Sequence, residues 1–439
     1  MKITRNPMPS SLSVYPGGPA PADKDISSQA GNESADTVSF GESSTPGPVF
    51  TPDILASSKA AGAGPEKEWT ILHYGAADNN LGQYWIDNVK EMEAVGSGDS
   101  LNIVSQLDLR GIGCKRYYVT KETGSGSNSL TSPVLQDLGQ VNMADPASLT
   151  DFIKYGMKKF PAKHYMLIMA SHGMAWQGLQ LEESFFGGSM SVPNLQKSIE
   201  SAEKDTGRKL DVLACDACLM GSTEAAYELR NNADYLVASE QVEAFKSWPY
   251  KVILQKAFEE KKGVTAEELG SIVVGESAGV PQDMLTMGLI DLSKMEEVKN
   301  AAKALADQII ATKSSIAELK AIARKTQQFY LPVKDMYHFA QQIASSPSID
   351  DKKLVDAAKS LMTSIESAVV KEEHSTSVPP RELITDPDIL AMNDRQLKAL
   401  YELKDAHGLN VELKPWSSGY SSLQFDADTK WSTAMNRIS

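Results

Sequence analysis

Apolar residues in this chain follow two rhythms, and the change comes near residue 250. Before it, short continuous apolar runs alternate with amphipathic stretches. Trp69-Thr-Ile-Leu-His-Tyr74, Leu101-Asn-Ile-Val-Ser-Gln-Leu107, Tyr165-Met-Leu-Ile-Met-Ala170, Leu210-Asp-Val-Leu-Ala214 and Asp234-Tyr-Leu-Val-Ala-Ser-Glu240 read as buried strands. Between them, 83–95 carries Trp85, Ile86, Val89 and Met92 at helical spacing, and Gly96 stops it. A helix with Pro146 near its start runs over 145–154, and further helices cover 192–204 and 222–230, the last opened by Gly221-Ser-Thr-Glu224. Lys115-Arg-Tyr-Tyr-Val-Thr120 reads as one arm of a hairpin. Strand and helix in alternation from 69 to 240 predict an α/β fold, a mostly parallel sheet with helices on both faces.

Past 250 the spacing turns helical, over 266–278, 293–312, 316–329, 335–345, 350–371 and 394–406, with a strand at 285–290. Short strands are expected at 409–413 and 420–425, with Trp431 packed under the last turn. Residues 1–66, rich in Ser, Pro, Gly, Ala and Asp, lack periodic apolar positions, so they bury too little to offset chain entropy. The expected layout is a disordered segment (1–66; leader, pro-segment or tail), a catalytic core (67–250), and a helical extension whose terminal strands complete the fold (251–439). No internal repeat is visible.

Composition narrows the classes. A chain of 439 residues with 41% hydrophobic and 23% charged residues is of soluble globular type. Its net charge of −14 argues against a nucleic-acid partner. No apolar run nears the roughly 18 residues that span a bilayer. The first residues lack the apolar core of a signal peptide, so the expected compartment is the cytoplasm, with non-classical export left open. Three cysteines make no disulfide framework. A monomer is expected.

The candidate chemistry centres on Cys218, which follows the 210–214 run in a small acidic turn. A thiol becomes a nucleophile when a neighbouring base takes its proton. His172, 46 positions upstream, likewise follows an apolar run. Parallel strands joined by one crossover helix bring both ends to the same rim, where open α/β sheets bind ligands. Gly173 and Gly221 leave room for a substrate carbonyl, and the amides of Gly173 and Cys218 could stabilise its oxyanion. Cys215 and Cys218 also form a C-x-x-C pair, a redox alternative, although Cys215 falls within the apolar run. Zinc lacks ligands at normal spacing, and no residue is assigned to a metal. His73 and His164 read as structural. His338, His374 and His407 have no acidic or cysteine partner in sequence. Cys114, in a Gly-rich turn, is expected to be exposed. Asp78-Asn-Asn80 at the rim reads as an Asx turn that could hold substrate or a cation.

Several of these strings resemble the clostripain family of cysteine peptidases: Ala77-Asp-Asn-Asn-Leu81, Asn102-Ile-Val-Ser-Gln-Leu-Asp108, Ser171-His-Gly173, Asp216-Ala-Cys-Leu-Met220, Glu224-Ala-Ala-Tyr-Glu-Leu229, Ala233 to Glu240, and Tyr420 to Phe425 with Trp431. The resemblance spans roughly 69–435. It implies a caspase-like three-layer α/β/α sandwich, shared with gingipains and legumains, and endopeptidase activity with Cys218 as nucleophile and His172 as base. By the same analogy Asp216 lies at the floor of the S1 pocket, pairing with a substrate Arg or Lys. Where the family commonly has a Gly-rich stretch and a Gly-Trp-Asp-Tyr-like run, this chain has Gln241-Val-Glu-Ala-Phe-Lys-Ser-Trp-Pro-Tyr250. A second pocket carboxylate has no matching residue there, which leaves strict Arg/Lys specificity open, with Glu240 and Glu243 as stand-ins. Calcium is the one cofactor the resemblance brings in, and no ligand loop for it is evident. Lys197, Lys204, Arg208 and Lys209 fall in or just after a helix, so no internal cut is expected between His172 and Cys218. The leading reading is a cysteine endopeptidase acting on polypeptides. A catalytically inactive peptide-binding module and a thiol–disulfide protein are the alternatives.

Overall fold

The computed structural model describes residues 66–122, 129–180, 182, 188–243, 248–278, 285–330, 332–384, 387–414 and 419–439. The expected disorder of the first 65 residues lies outside them.

Among the described residues nine strands form the main sheet: β1 (Lys67–Ala77), β2 (Leu101–Leu109), β3 (Gly113–Tyr118), β4 (Val134–Gly139), β5 (Ala162–Ala170), β6 (Val212–Asp216), β7 (Tyr235–Ala238), β8 (Thr286–Asp291) and β9 (Val369–His374). Their order is β9-β8-β7-β6-β5-β1-β2-β3-β4. The five central strands β7, β6, β5, β1 and β2 run parallel, and antiparallel pairs flank them on both edges. β1 and β5 are buried for most of their length, because a parallel sheet is covered on both faces and its strands therefore read as continuous apolar runs.

Adjacent residues of β1 serve opposite layers. Ile71 joins a core with Trp85, Val89 and Met92 of helix α1 (Gly82–Glu93) and with Leu269 and Val273 of the helix Ala266–Ala278. Leu72 points the other way, onto helix α2 (Pro146–Lys159), where a Cβ on Gly156 would come within 2.3 Å of Leu72 Cδ2. Tyr74 meets Phe152 of α2 on that same face, with ring centroids 5.6 Å apart. Helix α3 (Val192–Thr206) packs beside α2, and α4 (Thr223–Leu229), buried at every position, follows β6. The result is a three-layer α/β/α sandwich.

The C-terminal half contributes β8 and β9 to the main sheet and a separate two-stranded pair, Val333–Asp335 with Asn410–Glu412. Three expectations are corrected here. Residues 420–425 are a 3-10 turn (Tyr420–Ser422) and the start of a helix (Gln424–Thr429), not a strand. Their partners are tertiary: the Tyr420 hydroxyl donates to Glu224 Oε1 at 2.8 Å and the Phe425 amide to Glu228 Oε1 at 3.1 Å. The helix expected over 350–371 ends at Ala368, where Val369 turns into edge strand β9 against β8. Cys114, expected to be exposed, is fully buried in β3, with its sulfur 3.8 Å from Met143 Sδ. Trp431 is buried and donates from Nε1 to the Glu412 carbonyl at 3.0 Å.

Candidate active site

β5 and β6 are neighbours in register, with Ala170 opposite Asp216. The pairing continues past their ends, since the Ser171 amide donates to the Asp216 carbonyl at 3.3 Å. The segments carrying His172 and Cys218 therefore leave the carboxyl edge of the sheet side by side. Gly173 brings them closest. A Cβ built on it would lie 2.0 Å from the Cys218 carbonyl oxygen and 3.0 Å from Cys218 N and C, so only glycine leaves space for the Cys218 peptide.

Beyond Cys218 the chain passes through a costly conformation. Leu219 has φ +65°, a left-handed value disfavoured for leucine by roughly 1–2 kcal/mol. The surroundings hold it there: Leu219 N donates to Gln241 O at 3.0 Å, Asn410 Nδ2 to Leu219 O at 3.1 Å, and Gly221 N to Ser239 O at 2.7 Å. Ser222 then caps α4, accepting from the Ala225 amide. Since that cap is Ser222, Asp216 does not serve as one. Instead the C-terminal extension, through Asn410, fixes the turn after the candidate nucleophile.

Cys218 is half-buried, and its sulfur accepts from the Glu243 amide at 3.3 Å. Burial and the nearby Glu243 carboxylate push the thiol up to about 12. Burial lowers His172 to about 4, so at neutral pH the resting groups are a thiol and an uncharged imidazole. Asn80 Oδ1 lies 2.7 Å from His172 Nε2. An amide oxygen only accepts, so Nε2 carries the hydrogen and Nδ1 is the basic nitrogen. Asn79 anchors the Asn80 turn, accepting from Leu81 N at 2.9 Å and donating to Ala76 O at 3.1 Å and Ser171 Oγ at 3.2 Å.

Asp216 is buried at the end of β6, and Tyr250 donates its hydroxyl hydrogen to Oδ2 at 2.6 Å. Glu243 stands beside it. Burial and the Asp216 charge raise the Glu243 carboxyl well above the usual range, so the two acids hold a proton between them. Of the two stand-ins considered, Glu243 is therefore the one next to Asp216. Glu240 turns into the C-terminal extension, where it accepts from the Gly408 amide at 2.7 Å.

The remaining candidates fall elsewhere. Cys215 is fully buried in β6, and burial pushes its thiol up, a poor setting for C-x-x-C exchange. His73 bonds Ser105 Oγ at 2.9 Å, and His164 bonds Asp211 at 2.7 Å. The expectation that the C-terminal histidines lack acidic partners is corrected: His374 contacts Glu372, two residues earlier on the same strand, at 2.8 Å, and His407 contacts the sequence-distant Asp335 at 3.2 Å. Asp78, read with Asn79 and Asn80 as an Asx turn, joins Asp108 and Glu182 in a buried group of carboxylates. Lys197 and Lys204 lie on α3, Arg208 pairs with Glu66 at 2.9 Å and Lys209 with Asp234 at 2.7 Å. Among the described residues no helix is long and apolar enough to cross a membrane.

A caspase-like α/β/α sandwich with a cysteine and a histidine at the carboxyl edge of adjacent parallel strands is the architecture of a cysteine-type peptidase. The family model for the clostripain family matches residues 73–437, and the chain belongs to that family. It is 25% identical to clostripain of Hathewaya histolytica over 69% of this chain and 70% of that protein. Among solved structures it is similar to a secreted C11 cysteine protease from Bacteroides thetaiotaomicron called iotapain (TM-score 0.63, 15% identity, 83% of this chain and 100% of that one). It is also similar to an inactive zymogen C11 protease from Parabacteroides distasonis (TM-score 0.61, 18% identity, 83% and 99%). At such identities these structures bear on the fold alone.

Proposed function

We propose that this cysteine peptidase is an endopeptidase that cuts after Arg or Lys through a Cys218–His172 dyad. The observation that carries the specificity is the pair of buried carboxyls, Asp216 and Glu243, beside the Cys218 thiol. A cationic side chain seated there recovers the charge pairing that a neutral one forfeits. The sulfur attacks the scissile carbonyl carbon while its proton passes to His172 Nδ1. The imidazolium then donates that proton to the leaving amine, and water hydrolyses the thioester. Asn80 is a positioning residue that keeps the basic nitrogen on the correct side of the ring. The amides of Gly173 and Cys218 are the candidates for the oxyanion.

The resting thiol suits a substrate-triggered enzyme. The negative charge of the Asp216–Glu243 pair that opposes the thiolate is the charge a bound Arg or Lys neutralises, so filling the pocket favours thiolate formation. The buried, strand-bound Cys215 weighs against the redox alternative. A panel of fluorogenic peptides differing only in the residue before the cut tests the proposal. Turnover with Arg and Lys, lost in Cys218→Ala and His172→Ala, is expected. Equal turnover with Leu or Asp would overturn the specificity, and undiminished turnover in Cys218→Ala would overturn the dyad.

A further inference from the structure

At the carboxyl rim, next to the Asn80 turn, the structure collects three acids from distant parts of the chain: Asp78 after β1, Asp108 in β2, and Glu182 after the small strand pair His172–Gly173/Leu179–Gln180. One carboxylate oxygen from each lies within 4.8 Å of the others, and all three side chains are buried. Glu182 shows that the group is incomplete as a purely protein cluster. It is 0% exposed, its Oε1 accepts from the Met143 amide at 2.6 Å, and among the described residues its Oε2 has no partner beyond the carboxyl of Asp78 in the same group. The neighbouring cation, Arg116, is engaged elsewhere, with Asp151 at 2.6 Å, Gln106 at 2.7 Å and Gln136 at 2.8 Å.

Three carboxylates gathered in a dry site repel one another, and the cost is severe without a counter-charge. The donor set is all oxygen, the choice of hard divalent cations. Oxygens that share a calcium ion at about 2.3–2.6 Å stand at most roughly 5 Å apart, a limit the three carboxylates meet. We propose that Asp78, Asp108 and Glu182 bind one hard divalent cation of the calcium or magnesium class. The site joins two segments that hold His172: Asp78 is two residues before Asn80, and Glu182 is two residues after Gln180, which pairs with His172. An ion there ties the Asn80 turn to the hairpin of the candidate base, a consequence for rate that rests on the peptidase reading.

The test uses the full chain carrying Cys218→Ala, so that cleavage plays no part and binding is read by itself. After chelator treatment, calcium chloride and magnesium chloride are titrated separately by calorimetry, and Tm is followed with each. One saturable equivalent of at least one cation with a Tm rise is expected, and comparing the arms assigns the ion. Asp108→Asn/Glu182→Gln should abolish both effects. Because it removes repulsion while keeping shape, its cation-free Tm should match or exceed that of the parent, so lost binding is not mistaken for unfolding. No saturable binding of either cation up to about 10 mM, well above weak extracellular sites, would overturn the proposal. So would stoichiometric binding that survives the double substitution. In the active chain, a rate gain on adding the bound cation, absent in Glu182→Gln, is the expected link to His172. A failed peptide panel would leave the binding result standing.

Discussion

Gly173→Ala is the smallest change that tests how the two segments of the site are fitted together. The added methyl would stand 2.0 Å from the Cys218 carbonyl oxygen, about 1.4 Å inside ordinary contact at 3.4 Å. The obstacle is backbone on both sides, so no rotamer change relieves it. The His172 segment and the Cys218 turn must separate by about an ångström, and a misplacement of that size costs roughly 10²-fold in rate. Overpacking also destabilises by about 1–3 kcal/mol. Gly156→Ala is the control: its methyl would meet Leu72 Cδ2 at 2.3 Å, in the core between α2 and β1 and away from Cys218. Both variants should lose several degrees of Tm, while kcat/KM on an Arg peptide should fall about 100-fold only in Gly173→Ala. Gly173→Ala within threefold of wild-type kcat/KM would refute the reasoning, because the contact would then have no bearing on the chemistry.

Further outcomes follow from the same geometry. Asn80→Ala should lower kcat about 10–100-fold, the usual cost of losing the partner that orients a functional histidine, with KM little changed. Asn80→Asp should restore much of it and move the acid limb of the pH profile upward, since a carboxylate raises His172 from about 4. Glu243→Gln should speed iodoacetamide labelling of Cys218 at pH 7.5 while reducing the preference for Arg over its neutral isostere citrulline. A guanidinium roughly 6 Å from the sulfur at an effective dielectric of about 20 is worth roughly 3 kcal/mol, or about 10² in kcat. With the thiol pushed up to about 12, labelling of Cys218 without substrate should keep rising tenfold per pH step through pH 10. A plateau near pH 8.5, read by peptide mass spectrometry, would show an ordinary thiol.

The central sheet was legible because its strands are covered on both faces and so appear as unbroken apolar runs, Trp69 to Tyr74 and Tyr165 to Ala170 among them. Its edges were not. β9 is Val-Val-Lys-Glu-Glu-His, a half-exposed strand whose charges continue the periodicity of the preceding helix, and β4 is half-exposed and polar. Tyr420 to Phe425 looks like a strand by aromatic content, yet buried Glu224 and Glu228 bond it into helical turns, a tertiary preference overriding a local one. Within the site, His172, Gly173 and Cys218 stood out because each sits at the end of an apolar run, whereas Asp216 was marked only by the family resemblance. Asn80, Glu243 and Glu182 lie in turns and loops, and only the packing of sequence-distant segments gives them partners. The Asp78-Asn-Asn80 turn illustrates the limit: its polarity was plain, but its three residues do three jobs. Asn79 closes the turn, Asn80 holds His172, and Asp78 joins the acidic group.

The account stands or falls on which atom attacks the substrate. The most direct measurement treats the full chain with a short peptidyl chloromethyl ketone ending in arginine and locates the adduct by mass spectrometry. A single adduct on Cys218 is expected, absent from Cys218→Ala, strongly reduced in His172→Ala, and not formed by the analogue ending in leucine. Labelling at Cys114 or Cys215 instead, or equal labelling by the leucine reagent, would contradict the account.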